Sequence, residues 1–114
     1  MDELERMIAE WKIQYGEDNI YDLTPQLEGD DWAEFKNTRI ICRKPARRDL
    51  SRLAKGLTGD SLTALQNLVY DCLLYPSREV IDRMLAVKPG LVISLGNALQ
   101  DLAGITTDFL PRKL

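Results

Sequence analysis

The stretch Ser61 to Tyr75, SLTALQNLVYDCLLY, constrains this chain more than any other. Ten of its fifteen residues are apolar, and Leu62, Leu65, Val69, Cys72 and Leu73 recur at the three-to-four spacing of a helix face. Wound at about 100° per residue, the polar Thr63, Gln66, Asn67 and Asp71 share one stripe, into which Tyr70 and Leu74 intrude. A helix this apolar has to be covered on most sides. The expectation is a central helix, capped by Asp60 or Ser61 and closed by Pro76. Leu65, Leu68, Val69, Cys72 and Leu73 should be almost wholly buried.

Helices are expected on both sides of it. One runs from about Ala46 to Leu57 after Pro45, with Leu50, Leu53, Ala54 and Leu57 inward and Arg48, Arg52 and Lys55 on the opposite side. Ser77 caps a helix with Val80, Ile81, Met84, Leu85 and Val87 inward. Pro89 and Gly90 precede a last helix, about Leu91 to Ala103, with Leu91, Leu95, Ala98, Leu99 and Leu102 inward. At the N-terminus, Leu4, Met7, Ile8, Trp11 and Tyr15 share a helix face, and Gly16 follows as a helix-ending glycine. Trp11 is expected in the core.

Between Gly16 and Pro45 the period changes. Ile20 to Leu23 is a strand candidate stopped by Pro25, and Gln26 to Asp31 reads as an exposed turn. Trp32, Phe35 and Arg39 to Arg43 form a second strand region, supported by the β-branched pair Ile40 and Ile41. Two strands are marginal alone, so a helix must cover them. The fold class that follows is α+β, mainly α. The order is an N-terminal helix over 1–16, a small antiparallel β-hairpin or meander over 17–45, four helices over 46–104, and a loosely held tail over 105–114. At 114 residues this is one domain, 1–114.

Charge is strongly segregated. Residues 1–35 hold eleven acids and two bases, residues 36–55 eight bases and one acid, and the rest is nearly balanced, for a net charge of −3. Such segregation fits a nucleic-acid face or an acidic partner. The preferred expectation is mutual attraction of the two segments within the chain. The basic stretch RIICRKPARRDLSRLAK could meet phosphates through Arg43, Lys44, Arg47, Arg48, Arg52 and Lys55. A pI near 4.9 and the lack of stacking aromatics in that stretch disfavour nucleic acid.

Little in the chain points to chemistry. There is no histidine and no Cys-x-x-Cys, which removes the usual zinc sites and the Ser-His and Cys-His nucleophile pairs. The acidic pairs Glu17–Asp18 and Asp30–Asp31 fall in turns, where carboxylates are solvated rather than tuned for acid–base work. Gly56 and Gly59 before Asp60 and Ser61 lack the lysine of a phosphate loop. No catalytic residue, metal or cofactor is expected. Cys42 and Cys72 sit in apolar runs and read as buried reduced thiols of a cytosolic protein. MDELER is not a secretory leader, and no apolar run approaches a membrane span. Trp32 and Phe35, in an acidic hairpin, are candidates for an interface as well as for the core.

Several short patterns together resemble the small tail assembly chaperones of tailed bacteriophages. They are Trp11-Lys-Ile-Gln-Tyr15-Gly16 closing the first helix, a strand with Tyr21, and a second strand running into Arg43-Lys44-Pro45-Ala46-Arg47-Arg48-Asp49-Leu50. Asp71-Cys72-Leu73-Leu74-Tyr75-Pro76 and Leu102-Ala103-Gly104-Ile105 follow in the helical half. The resemblance implies a non-enzymatic protein in the cytoplasm of an infected bacterium. Its partner would be the tape measure protein or another tail protein, kept soluble during tail assembly. Candidate contacts are Arg47, Arg48, Arg52 and Lys55, then Trp32 and Phe35, then Phe109 and Leu110 in the tail. A structural or adaptor component of a virion or other complex, and a nucleic-acid-binding regulator, are the alternative readings. Oligomeric state is left open.

Overall fold

The computed structural model describes residues 2–25, 29–35, 38–104 and 113. Its elements are α1 (Glu3–Tyr15), a 3₁₀ turn (Glu17–Asn19), β1 (Ile20–Asp22), a 3₁₀ helix (Asp30–Phe35) and β2 (Ile41–Arg43). There follow α2 (Arg47–Gly56), α3 (Ser61–Cys72), β3 (Leu73–Tyr75), α4 (Arg78–Val87) and α5 (Leu91–Leu102). The mainly α architecture with a small antiparallel sheet is as expected. The loosely held tail expected over 105–114 lies, apart from Lys113, outside the described residues.

Local capping sets most helix ends. The Asp2 carboxylate accepts the Glu5 N–H at 2.8 Å, Asp60 accepts from Leu62 and Thr63, and Ser77 from Val80. At the far end of α1 the chain turns at Gly16, whose φ of +99° is open to glycine and strained for a side chain.

Two strand assignments are corrected. The central helix stops at Cys72, not Tyr75, and Leu73–Tyr75 becomes the third strand, followed by the cis bond Tyr75–Pro76. The residue before a proline disfavours the α region, which opposes helix at Tyr75, and β2 offers ladder partners there. The sheet order is β1-β2-β3, with Tyr21 opposite Cys42 and Ile41 opposite Tyr75. The register shifts between Ile41 and Cys42. The second correction concerns Trp32 to Phe35, a 3₁₀ helix packed on α4 rather than a strand.

As the middle strand, β2 is buried on both faces, the period-two alternation of a sheet covered on each side. Ile40 and Cys42 join the helical core of Leu53, Leu68, Val69, Cys72, Ile81, Met84, Leu95 and Leu99. Ile41 turns to the other face, where it borders a cleft with Ile8 of α1 and Ile20 of β1. The layers are therefore α1, sheet and helical bundle. α3 packs on both α2 and α5, and Gly96 permits the second contact, since a Cβ there would lie 2.8 Å from Leu65 Cδ2.

Burial departs from expectation at several positions. Leu65 and Leu73 are partly buried, because they sit at the margin of the core cluster rather than inside it. Trp11 is also partly covered, since α1 meets little beyond β1 and the turn beside it. On α2 the inward face is rotated toward Asp49 and Leu53, leaving Ala54 exposed and Leu57 47% exposed. Val87, at the end of α4, is exposed, while Val92 and Gly96 of α5 are buried. Phe35 is 2% exposed and belongs to the core, with Arg83 5.9 Å above its ring. Both thiols are buried and free, and burial pushes Cys42 and Cys72 up to about 12, so neither is a nucleophile at neutral pH.

Candidate functional site

The basic stretch singled out in the sequence runs from β2 into α2, and the structure divides its charges into two sets. The first is tied into the fold. Arg43, at the end of β2, meets Asp49 in a two-pronged ion pair, Nη1 to Oδ2 at 2.7 Å and Nη2 to Oδ1 at 3.1 Å. Asp49 is 4% exposed, the one charged residue buried among those described. Its remaining demand is met by the Ala46 N–H at 2.8 Å, so the carboxylate also caps the α2 N-terminus, where Ala46 has no side chain to do so. Hydrogen bonds from Arg43 hold the Asp49 carboxyl below its ordinary value and raise Arg43 in turn.

Arg43 reaches further. Its Nη2 donates to the Asp71 carbonyl at 2.8 Å, in the last turn of α3, where a carbonyl has no partner within the helix. The Asp71 carboxylate accepts Arg52 Nη1 at 2.8 and 2.9 Å. One guanidinium thus joins β2, α2 and α3.

The second set is free. Arg47, Arg48 and Lys55 on α2, and Lys44 before it, are exposed and form no ion pair with a described acid, although the Arg48 charge helps to lower Asp49. The expected attraction between acidic and basic segments is met at Asp22 and Arg39, 2.9 Å apart. Partial burial pushes Asp22 up, but hydrogen bonds from Thr24 and Arg39 outweigh it and leave it lowered. The acids of α1 reach no base of α2, because α1 lies on the opposite face of the sheet from the bundle.

Two open clefts flank Arg43. One, of about 280 Å³, is bounded by Tyr15, Asn19, Lys44, Pro45 and Ala46. The other, of about 270 Å³, is bounded by Arg48, Asp49, Arg52 and Asp71. Among the described residues no cluster of histidine, cysteine and acidic side chains has the makings of a metal site. Nor is any helix among the described residues long and apolar enough to cross a membrane.

Of the candidate contacts, Arg47, Arg48, Arg52 and Lys55 fall together on the exposed side of α2, with Arg52 held at one flank by Asp71. Phe35 does not join them, because its ring fills the core above α4. The Trp32 side chain, Phe109 and Leu110 lie outside the described residues. What sequence reasoning missed is Asp49. The available signal was a single acid inside a basic run, three residues after the residue that follows Pro45.

A comparison with curated proteins gives no match. A solved structure of an uncharacterised protein from Bacillus stearothermophilus is similar in fold, with a TM-score of 0.69 at 21% identity over 91% of this chain and 98% of that one. The whole three-layer arrangement is thus shared with a chain of distant sequence. At the level of sequence, the match to a domain of unknown function runs over residues 11–112, from Trp11 through the sheet and all four bundle helices, and the chain belongs to that family, DUF6848.

Proposed function

We propose that this is a non-enzymatic, partner-binding domain of the tail assembly chaperone kind, acting in the cytoplasm of an infected bacterium. Its partner would be a long helical protein, the tape measure protein or another tail component. One observation carries the reading. The exposed face of α2 presents Arg47, Arg48 and Lys55 with no ion pair to a described acid, while Arg43 and Asp49 lock that helix to the sheet and to α3. A fixed basic ridge orients an acidic partner and speeds encounter without chemistry. The resemblance in the sequence supplies the identity of the partner.

The test is co-expression with the tape measure gene of the same genome. The expected result is a soluble complex that survives size-exclusion chromatography and is lost in the triple variant Arg47→Glu, Arg48→Glu, Lys55→Glu. A partner equally insoluble with and without this protein rejects the chaperone reading and favours a structural component, which mass spectrometry of purified virions would reveal. The same ridge could attract phosphates, so a duplex DNA titration belongs beside it. We expect no micromolar binding at about 150 mM salt; such binding, weakening steeply with salt, would favour the regulator reading.

A further inference from the structure

Of the two clefts beside Arg43, the one bounded by α2 and the last turn of α3 is lined by Arg43, Arg48, Asp49, Arg52 and Asp71. Three guanidinium groups and two carboxylates therefore meet there, a surplus of one positive charge. Both acids are already served. Asp49 takes both prongs of Arg43 and the Ala46 N–H, and Asp71 takes Arg52 Nη1 on both of its oxygens. Arg43 is spent on these contacts, since Nη2 is shared by Asp49 and the Asp71 carbonyl, and Nη1 by Asp49 and the Lys44 carbonyl. Arg52 makes both of its bonds through Nη1, so its Nε and Nη2 donate to no described residue. Arg48 helps to lower Asp49 through its charge, yet its guanidinium forms no ion pair with a described acid. The donors left over at this cleft belong to Arg48 and Arg52.

These two arginines are spaced i, i+4 on α2, which puts their Cβ atoms about 5–6 Å apart on one flank of the helix. We propose that the cleft takes one side-chain carboxylate, from a glutamate or aspartate of the partner, between Arg48 and the Nε and Nη2 of Arg52; this rests on the partner reading above and names the group that the partner must present. A planar carboxylate matches the guanidinium fork, and it offsets the repulsion of like charges four residues apart. One surplus charge suits a group of one charge. A phosphomonoester would bring a second negative charge against Asp49 and Asp71. A nucleic-acid duplex, with a charge every ~1.7 Å of axis, would bring further phosphates against the same acids. At about 270 Å³ the cleft is smaller than the roughly 300–1,000 Å³ of small-molecule sites, and suits one side chain. Arg47 and Lys55 line neither cleft, so they attract an acidic partner without fixing where its carboxylate goes.

The test uses the full chain and a blocked, alanine-based helical peptide with a single central glutamate. Binding is followed by NMR through the arginine Nε–H signals, at constant ionic strength. The signals of Arg48 and Arg52 should move, and the same peptide with glutamine in place of glutamate should leave them still. Arg48→Gln should weaken binding at least about ten-fold, as loss of a charge-assisted hydrogen bond does. Arg47→Gln and Lys55→Gln remove the same charge from outside the cleft and should weaken it no more than about two- to three-fold. Asp71→Asn frees Arg52 and keeps the carbonyl that Arg43 uses, so it should tighten binding. Equal losses in the three glutamine variants overturn the proposal, and so does Asp71→Asn binding no tighter than wild type. Inorganic phosphate that binds more tightly than the peptide, and is lost in Arg48→Gln, also overturns it. Co-expression separates the two readings. A tape measure complex that survives Arg48→Gln but not the triple charge reversal rejects the cleft and keeps the ridge. A glutamate peptide held by Arg48 and Arg52, with no tape measure complex in any form, keeps the cleft as a carboxylate site and rejects the named partner.

Discussion

α1 and α3 are both amphipathic in sequence, and they end up in different physical situations. α3 buries Ala64, Leu68, Val69 and Cys72, whereas α1 buries none of its residues completely, although Leu4, Met7, Ile8, Trp11 and Tyr15 form a continuous stripe. The difference lies in their neighbours. α3 is approached by α2 and α5 and runs directly into the sheet through β3, while α1 lies against β1 and its adjoining turn. An apolar stripe fixes which side of a helix turns inward, and the elements arriving from elsewhere fix how far water is excluded.

The largest expected effect sharpens this contrast at the junction that holds α2 and α3 to the sheet. Asp49→Ala leaves Arg43 partly buried beside an empty acceptor and should cost about 3–5 kcal/mol in urea unfolding. The exposed pair Arg52 and Asp71 should be worth about 1 kcal/mol or less in a double-mutant cycle. Acid should act through the same group. Because the folded Asp49 carboxyl lies below its unfolded value, its contribution is complete above the unfolded pKa near 4 and is lost as pH falls through the folded one. Asp49→Asn should therefore flatten the loss of stability measured between about pH 5 and pH 2. An unchanged acid slope would show that other carboxylates govern it.

Next in size is the core of α3. Leu68→Ala should cost about 2–5 kcal/mol by loss of burial and an unfilled cavity. Trp11→Ala on α1, despite its larger ring, should stay below about 2 kcal/mol because the side chain is only partly covered. Equal losses at the two positions would break the comparison. Hydrogen exchange supplies an independent measure, with α1 amides expected to exchange by local opening and those of α3 only on global unfolding.

A smaller effect is expected where α2 meets α3. A Cβ on Gly56 would lie 2.7 Å from Ala64 Cβ, an atom with no rotamer to move away. Overpacking of about 1–3 kcal/mol should exceed the helix-propensity gain of up to about 1 kcal/mol, so Gly56→Ala should lower the melting temperature. A raised melting temperature would mean that the two helices separate freely. The smallest effect belongs to Ile13→Ala on the outer side of α1. It should change stability by no more than about 0.5 kcal/mol, measured by urea unfolding.

Much of the fold was legible because its signals are local. Gly16, Asp60 and Ser77 mark helix ends through hydrogen bonds or backbone conformations that span a few residues. β1 was legible for the same reason, as a short run with a β-branched residue bounded by turn signals. Phe35 was not, since an aromatic beside acids reads equally well as surface, and only the approach of α4 made it core. Of the candidate site, the exposure of Arg47, Arg48 and Lys55 could be read from helical phase, but the absence of ion pairs between them and the described acids could not. It depended on α1 being placed across the sheet from α2.

The sequence by itself determined where the five α-helices lie to within a few residues, which side of each is apolar, and that acids and bases are segregated along the chain. These properties depend on neighbours three or four residues apart. Tertiary structure alone decided that Leu73–Tyr75 leaves its helix for the sheet, that Asp49 turns inward, and that Arg43 reaches the Asp71 carbonyl 28 residues away. The strand and the Asp71 contact are settled by partners from distant parts of the chain, and Asp49 by Arg43 on the strand before its helix. A buried charge or a third strand is stable only when its partner is in place.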